Sequence, residues 1–372
     1  MFDRIQIKKA LLSIPWVEKY YINKKVNAGL FIPKNKLGKN LNKAEIVKIN
    51  PSDIKVGLVK DGIEMGEFID NRSYYPKYER FLKNNSIKYE YYDIYKSDWL
   101  DKGKDFDIII WHTDSDPVTQ DIATNKIYVL EKLMKKKCLP SFHEIWTYED
   151  KINAHYLYKY FKLPAIPTYV THSKEEALEY IEKTEFPIIS KIATGSGSQG
   201  VVKIKNKKQA KKIINHAFSL KGAKTYFPFQ RQKNYVLFQE FIEDATFDLR
   251  VIVIGNKLFG YYRFPNQGDF RASGAGNYKK TEIPVEALDL AYQVKELFHA
   301  RFLATDFLYS NNRKKFLIIE SSIFIGVDTC EQLVVNGKPG YYERIKESEY
   351  VFKEGRYWIQ ELTIKELLEG ES

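Results

Sequence analysis

The stretch Lys191-Ile-Ala-Thr-Gly-Ser-Gly-Ser-Gln-Gly200 decides the prediction of the fold. A lysine closes an apolar strand-like run, a glycine-rich loop follows, and Val201-Val-Lys-Ile-Lys205 continues as a second strand. The segment from Gly195 to Gly200 matches G-x-G-x-x-G, but that dinucleotide fingerprint requires a helix directly after the loop. The Lys-Ser/Thr ending of a P-loop is also missing. We therefore predict a strand–loop–strand hairpin that covers phosphates, with an ordinary glycine-rich hairpin as the alternative.

Two carboxylates follow further along the chain, each in an apolar strand-like run. Asp306 lies within Phe302–Leu308, and Glu320 follows Phe316-Leu-Ile-Ile. Because burying an unpaired carboxylate is costly, such residues usually hold a metal ion or an arginine. Hard oxygen ligands suit Mg²⁺, which bridges phosphate oxygens, and a structural ion pair is the alternative for either residue. With the lysine before the glycine loop, these carboxylates predict an enzyme that clamps ATP.

Two further segments favour a nucleotide site. Gln239-Glu-Phe-Ile242 would pair its backbone with adenine while apolar neighbours sandwich the ring. Asp248-Leu-Arg250, Arg263 and Arg271 would bring three arginines to one cleft, and arginine is the side chain of choice for carboxylate and phosphate. Surface arginines paired with nearby acids are the alternative. Gly268–Gly276 is predicted to be a mobile loop with free backbone amides.

The composition narrows the class of protein. The 372 residues are 44% hydrophobic and 29% charged, which predicts a globular protein of two or three domains. The net charge is +11, but the basic residues are spread along the chain without an RNA-binding signature, so nucleic acid is disfavoured as a partner. No apolar run could span a bilayer, no secretory signal is evident, and Cys138 and Cys330 form no close pair. We expect a cytoplasmic protein without a membrane span.

The region after residue 50 alternates strands and helices. Strands are predicted at 54–59, 89–94 and 106–111, and helices at Tyr75–Asn84 and Ile127–Lys137. The last strand is an almost continuous apolar run, as in a parallel sheet. Strands alternating with helices imply crossover connections and a doubly wound α/β sheet.

Together these residues resemble the ATP-grasp superfamily, in particular the carboxylate–amine ligases that include the ribosomal-protein glutamate ligases and glutathione-synthetase-like enzymes. The resemblance covers roughly residues 146–330. It implies an ATP-grasp fold, α+β in the catalytic part, preceded by a doubly wound α/β domain. The expected parts are a basic extension at 1–50, an N-terminal α/β domain at 51–145, a central lid subdomain at 146–235, a C-terminal ATP-grasp subdomain at 236–335 and a tail with a helix at 336–372.

The resemblance also assigns roles to residues. Phosphate contacts fall on Lys151 and Lys191, and further cofactor contacts on Ser196, Gln199, Gly200, Gln239, Glu240, Phe241, Ile242, Asp248, Ala272 and Ser273. The catalytic residues would be Arg250 and Arg271, which stabilise an acylphosphate or hold a carboxylate. The metal ligands would be Asp306, Glu320 and Ser322, binding Mg²⁺ or else Mn²⁺. One departure matters, because the family usually has Glu-x-Asn where this chain has Glu320-Ser321-Ser322.

The implied reaction is ATP-dependent amide formation. A substrate carboxylate attacks the γ-phosphate and releases ADP, and an amine then attacks the acylphosphate and releases phosphate. The expected partners are small-molecule carboxylate and amine substrates, with an amino acid joined to a peptide or a glycan-type acceptor. Two alternatives stay open, a kinase of a small hydroxylated substrate and a non-catalytic nucleotide-binding protein with a degenerate site. A homodimer is also left open.

Overall fold

The computed structural model describes residues 14–28, 30–34, 54–62, 64–195, 197–198 and 200–369. Most of the predicted basic extension lies outside the described residues, as do Ser196 and Gln199 of the glycine loop. The chain divides into two compact units, the first formed by Met1–His112, Gly326–Cys330 and Arg356–Ser372, and the second by Thr113–Ile325 and Glu331–Gly355. The five-part domain division stays a prediction.

The elements of the described residues are as follows. The helices are α1 Pro15–Asn27, α2 Tyr75–Asn84, α3 Trp99–Gly103, α4 Pro117–Ile127, α5 Phe142–Thr147, α6 Lys151–Tyr160, α7 Lys174–Lys183, α8 Lys207–Ala217, α9 Val285–Leu297 and α10 Ile359–Glu369, with a π-helical turn at Tyr128–Leu133. The strands are β1 Phe31–Pro33, β2 Lys55–Val59, β3 Glu64–Met65, β4 Phe68–Asp70, β5 Lys88–Tyr91, β6 Ile108–Trp111, β7 Lys137–Leu139, β8 Thr168–Thr171, β9 Ile188–Lys191, β10 Val202–Ile204, β11 Ala223–Lys224, β12 Arg231–Gln232, β13 Val236–Glu240, β14 Asp248–Ile254, β15 Lys257–Phe264, β16 Asn277–Lys279, β17 Phe302–Ser310, β18 Lys315–Ser322, β19 Val334–Val335, β20 Lys338–Lys346 and β21 Glu349–Glu354.

The first unit contains the predicted parallel strands. β2 lies between β5 and β6 and pairs in parallel with both, so that Val56 is opposite Tyr89 on one side and Ile108 on the other. β6 is wholly buried and β2 nearly so, as expected for parallel strands covered on both faces. Because the chain crosses over to both sides of β2, the arrangement is doubly wound, as predicted.

The second unit contains a four-stranded antiparallel sheet in the order β10-β9-β13-β8. The helices α7 and α8 pack on it through their small and branched apolar residues. Ala177 and Ile181 of α7 and Ala210 and Ile214 of α8 are all fully buried in one cluster with Phe238 of β13. The periodic apolar face of each helix therefore fixes this layer.

The glycine loop joins β9 to β10, which pair antiparallel with Ser190 opposite Val202. A strand and not a helix follows the loop, which confirms the predicted hairpin and excludes the dinucleotide-binding arrangement. Gly200 has a φ of 76°, and a Cβ at this position would lie 2.6 Å from a side-chain carbon of Ile192. Glycine is therefore the residue that fits this end of the loop without displacing the isoleucine.

A larger antiparallel sheet completes the second unit, in the order β18-β17-β14-β15-β20-β19, with β16 on β15 and β21 on β20. The helix α9 packs against β14 and β17. Along β14, Leu249 and Val251 are fully buried and alternate with Asp248 and Arg250. Because successive side chains of a strand point to opposite faces, the charged residues share the face opposite to Leu249 and Val251.

One predicted helix, Ile127–Lys137, has the wrong bounds and is in large part not α-helical. The structure has the helix α4 ending at Ile127, then the π-helical turn, then strand β7. Asp116 caps α4 by accepting two hydrogen bonds from its first turn, and Pro117 takes the first helical position. An acidic cap followed by proline is a recognised helix start, and it was overlooked in favour of the apolar run that follows.

Candidate nucleotide and metal site

Four neighbouring strands of the large sheet carry charged side chains on one face. Arg250 of β14 lies opposite Asp306 of β17, and Asp306 lies opposite Glu320 of β18. Two residues along β14, Asp248 lies opposite Arg263 of β15. Directly opposite residues share a face of a sheet, as do residues two apart in one strand. The register therefore gathers five charged side chains from four separate strands.

A β-bulge adjoins this row of charges. The register shifts after the pair Asp306–Glu320, so that Phe307 lies opposite Ile318 and Ile319 is the extra residue. In a regular strand Ile318 and Glu320 would share a face. The bulge separates them, so Ile318 is fully buried while Glu320 stays beside Asp306.

Asp248, Arg250, Arg263 and Asp306 form a buried arginine–aspartate cluster. Arg250 donates to both carboxylate oxygens of Asp306, each at 2.7 Å. Arg263 donates to Asp306 at 2.5 Å and forms a second ion pair with Asp248. Burial alone would raise the pKa of Asp306, but the two guanidinium groups outweigh it and hold the pKa at about 2. Asp306 is therefore ionised and fully paired.

An open cavity lies beside this cluster and is lined by residues of both sheets of the second unit. It encloses about 960 Å³, open solvent included. Most residues predicted to bind nucleotide or metal line it, and these are Lys151, Lys191, Gln239, Glu240, Phe241, Ile242, Asp248, Arg271, Ala272, Ser273, Asp306 and Glu320. Gly200, Arg250 and Ser322 are not among its lining residues. Arg263, one of the three arginines predicted at the cleft, also lines it, and so do Phe247 and Phe270, to which the sequence assigned no role.

One part of the cavity is aromatic. The rings of Phe241 and Phe270 meet edge to face, with centroids 5.6 Å apart, and the Lys203 ammonium lies 3.5 Å from the centroid of Phe241. The backbone N–H of Glu240 donates to the carbonyl oxygen of Pro167 at 2.9 Å. That N–H is therefore not available to adenine, and the predicted backbone contacts would fall on other groups of this segment.

The start of helix α6 is tied to the glycine loop. Asp150 caps the helix by accepting from the N–H groups of Ile152 and Asn153 at 2.9 and 3.0 Å. Lys151 donates its backbone N–H to Ala193 at 3.0 Å and its ammonium to the carbonyl oxygen of Gly195 at 2.5 Å. The ammonium thus lies at the entry of the loop, where the sequence predicted a phosphate contact.

Among the residues that the structure describes, the charged groups of Lys191 and Glu320 form no ion pair. Lys191 is only 7% exposed, and burial lowers its pKa to about 8. Within the described ranges, no hydrogen bond or ion pair holds its ammonium or the carboxylate of Glu320. An ammonium and a carboxylate that face a cavity unpaired are suited to a ligand that brings both negative charge and a cation.

A smaller cavity adjoins the first and is lined by Lys151, Lys191 and Glu320 and also by Glu149 and Ser322. The Glu149 carboxylate lies 3.5 Å from the Ser322 hydroxyl, and burial raises the pKa of Glu149 to about 7. Ser322 donates its hydroxyl to the carbonyl oxygen of Phe324 at 2.6 Å. Glu149 was overlooked from the sequence, where its position just before the capping Asp150 was the only signal.

Arg271 lies apart from the arginine–aspartate cluster. Its guanidinium pairs with Asp269 at 2.8 Å within the loop Gly268–Gly276, and its side chain is 44% exposed. The neighbouring Ser273 accepts a long hydrogen bond from Ser198 of the glycine loop, at 3.5 Å. Arg250 and Arg271, both predicted as catalytic, therefore occupy a buried and a solvent-facing position, respectively, and their catalytic roles stay predictions.

The donor set fits a metal ion that is shared with a ligand. No three Asp, Glu, His or Cys side chains converge among the residues that the structure describes, so a closed protein site is not formed there. Mg²⁺ bound with a nucleotide typically takes one or two carboxylates and keeps phosphate oxygens and waters as its other ligands. Glu320 supplies one unpaired carboxylate for such an ion. Asp306 would have to share oxygens already bound by arginines, and Ser322 would offer only a neutral hydroxyl oxygen.

The RimK-like ATP-grasp domain is the family model that matches, over residues 148–334, which is half of the chain. The matched region contains the glycine loop, the cavity and the charged row. The protein therefore belongs to the RimK-like ATP-grasp family. This confirms the superfamily and the fold class that the sequence predicted.

Relatives give the type of reaction. LysX of Saccharolobus solfataricus, an alpha-aminoadipate–LysW ligase, is 23% identical over 290 residues, which are 75% of this chain and 96% of the relative. ArgX of Sulfurisphaera tokodaii, a glutamate–LysW ligase, is 27% identical over 154 residues, 41% of this chain and 52% of the relative. The protein is an ATP-grasp enzyme of the carboxylate–amine ligase type, and enzymes of this family use ATP and a divalent metal ion.

A solved structure supports the fold. It is a RiPP-associated ATP-grasp ligase of Chryseobacterium gregarium in complex with ADP and with a leader and core peptide. It is 15% identical, has a TM-score of 0.50, and is similar over 73% of this chain and 89% of its own. As for membrane association, the described residues include no helix with the length and hydrophobicity of a membrane span.

Proposed function

We propose that the protein uses ATP and Mg²⁺ to join an amino acid to a peptide or a small carrier protein through an acylphosphate, in the cytoplasm. The observation that carries the proposal is the pair Lys191 and Glu320, both unpaired in a cavity lined by residues of the glycine loop. The two relatives are named as ligases of an amino acid and LysW, and the solved structure contains a leader and core peptide. These names favour a peptide-type acceptor over a glycan.

In this mechanism the lysines offset the charge of the phosphates. The Lys191 ammonium is buried and the Lys151 ammonium lies at the entry of the loop. Charges fixed in a partly dry cavity stabilise developing negative charge more strongly than the same charges in water. A divalent ion held by Glu320 would supply further positive charge between phosphate oxygens.

The bond changes need little covalent chemistry from the protein. An oxygen of the substrate carboxylate bonds to the γ-phosphorus as the bond to the ADP oxygen breaks. The amine nitrogen then bonds to the acyl carbon, the carbon–oxygen bond to phosphate breaks, and the amine loses a proton. Arg271 of the loop would exchange its pairing with Asp269 for the substrate carboxylate, and Arg250 would act through Asp306. Closure of the glycine loop would keep water from the acylphosphate.

Nucleotide chromatography with product mass spectrometry tests the proposal. Purified protein would be incubated with ATP and Mg²⁺, with amino acids and acidic, basic or neutral peptides added separately and together. We expect ADP and free phosphate only when both substrate classes are present, with a new amide product. ADP without free phosphate and with a phosphorylated acceptor would indicate a kinase instead. Release of AMP would contradict the acylphosphate route, and ATP binding without turnover would favour a non-catalytic protein.

A further inference from the structure

The backbone of Glu149 is held in a conformation that glutamate adopts rarely. Its φ is 54°, which is the left-handed region where glycine is at ease and other residues are strained. The residue lies between helix α5 and the cap of helix α6, so the chain could place a glycine here without losing a helical hydrogen bond. Strained non-glycine residues cluster at functional sites, which makes the side chain the feature to explain.

The side chain of Glu149 points into the smaller cavity, which is also lined by Glu320 and by the two lysines Lys151 and Lys191. Its carboxylate lies 3.5 Å from the Ser322 hydroxyl, and Ser322 is two residues beyond Glu320 on the same face of β18. Lys151 and Arg250 attract the charge of Glu149, whereas Glu320 and Asp306 repel it. Within the described part of the chain no ammonium or guanidinium forms an ion pair with Glu149.

Ser322 by itself is a weak ligand for a divalent cation. A neutral hydroxyl is a weaker ligand for a hard cation than a carboxylate. We propose that Glu149 is a direct ligand of the divalent cation and supplies the acidic oxygen that Ser322 lacks. The inference rests on the proposed nucleotide and metal site, and it assigns to that site a residue outside strand β18.

Cation binding and folding respond differently if Glu149 is a ligand. Replacing it by glycine relieves the backbone strain, so Glu149→Gly should unfold at a higher temperature than Glu149→Gln. Both variants lose the carboxylate, so both should bind the cation more weakly. A structural role for the carboxylate predicts the opposite combination, with lower thermal stability in both variants and unchanged cation affinity.

The test is titration of the full-length protein with Mn²⁺ in the presence of ADP, followed by electron paramagnetic resonance of the free ion. We expect the Mn²⁺ dissociation constant to rise about tenfold or more in Glu149→Gln and Glu149→Gly. Glu179→Gln, an exposed change on helix α7, is the matched control and should bind as the wild type does. Adding Ser322→Asn to Glu149→Gln should recover much of the lost affinity, because the amide oxygen restores a ligand at the same spot.

Two outcomes separate this inference from the proposed function. A wild-type protein that binds no Mn²⁺ with ADP would overturn both the metal site and the role of Glu149. Wild-type binding that is unchanged in Glu149→Gln and Glu149→Gly would overturn the role of Glu149 alone. Recovery by Ser322→Asn together with normal folding of Glu149→Gly would support it.

Discussion

Two groups of charged residues lie beside the same cavity, and the protein neutralises only one of them. The arginine–aspartate cluster satisfies itself, since each carboxylate of Asp248 and Asp306 is bound by a guanidinium. The lysine–glutamate group, formed by Lys151, Lys191, Glu149 and Glu320, contains no ion pair among its described members. One group holds neighbouring strands together, and the other is incomplete without a ligand.

The difference shows how a single sheet face can serve both folding and binding. Charges buried in pairs keep their geometry whether or not a ligand is present, so the part of the cavity wall that they form is rigid. Charges buried without partners cost stability in the empty protein, and a bound ligand offsets that cost. The two groups should therefore respond in opposite ways to substitution.

The largest effect on the free energy of unfolding is expected from removing a carboxylate of the arginine–aspartate cluster. Asp306→Ala leaves the Arg250 guanidinium without its carboxylate and Arg263 with Asp248 alone, and breaking a buried ion pair in this way typically costs about 3–5 kcal/mol. Urea unfolding followed by circular dichroism measures the loss. Glu320→Gln on the opposite strand is the control and should change the unfolding free energy by less than about 1 kcal/mol. An equal loss of unfolding free energy in the two variants would show that the arginine–aspartate cluster and the lysine–glutamate group contribute alike to stability.

Removing the buried ammonium should lower activity and raise stability. Lys191→Met is expected to reduce turnover by about 10²–10³-fold, as loss of one preorganised charge does. The lowered pKa means that the unfolded chain holds this proton more tightly, so the wild type carries a penalty of about 3 kcal/mol below pH 8, which fades as the pH rises toward 10.5. The variant should therefore be more stable at pH 7, as measured by urea unfolding. Near-normal turnover would remove Lys191 from the site.

A smaller effect is expected for the unpaired carboxylate. Glu320→Gln should raise the Mg²⁺ concentration for half-maximal ADP release by about tenfold, because the carboxylate is a hard ligand and the amide is neutral. Titrating Mg²⁺ at saturating ATP measures the change, with Glu179→Gln as the control. An unchanged titration would leave Glu320 with a structural role.

The smallest effect concerns pH. The affinity for a non-hydrolysable ATP analogue should fall by at most about tenfold between pH 7 and pH 9, because Lys191 loses its proton near pH 8 in the free protein. Burial lowers the pKa of Lys191 most, Glu320 and Asp306 raise it, and Lys151 lowers it further. Lys191→Arg, which stays charged over this range, should bind with little change, as isothermal titration calorimetry can measure. A parallel decline in that variant would assign the titration to another group.

Local patterns predicted much of the fold because they depend on neighbouring residues. The apolar spacing gave helix α2 its observed bounds, Tyr75–Asn84, and the glycine loop followed by a strand indicated the hairpin. Ser173 is the N-cap of α7 and accepts from the N–H of Glu176 at 3.2 Å. The Glu176 carboxylate, however, accepts from Thr171 and not from the cap. A partner two residues before the cap lies outside the usual capping pattern.

Short sequence patterns did not predict which side chains pair with each other across strands. The sequence placed Arg250, Arg263 and Asp306 near one site, but their mutual pairing depends on the register of three strands. Glu149 could not be connected with Ser322, because their contact joins a loop to a strand far along the chain. Cross-strand register follows from the packing of whole sheets, which no short segment encodes.

The bulge at Ile319 determines which kinds of change strand β18 tolerates. Deleting Ile319 would restore regular alternation, with Phe307 still opposite Ile318 and Asp306 still opposite Glu320. The pairing of Ile318 would stay in place, because backbone hydrogen bonds with Pro164 and Ile166 hold that residue on its other edge. The deletion would instead remove one side chain from the walls of both cavities. Natural variants of this strand that lose the bulge should therefore keep the charged row and change the shape of the cavity wall.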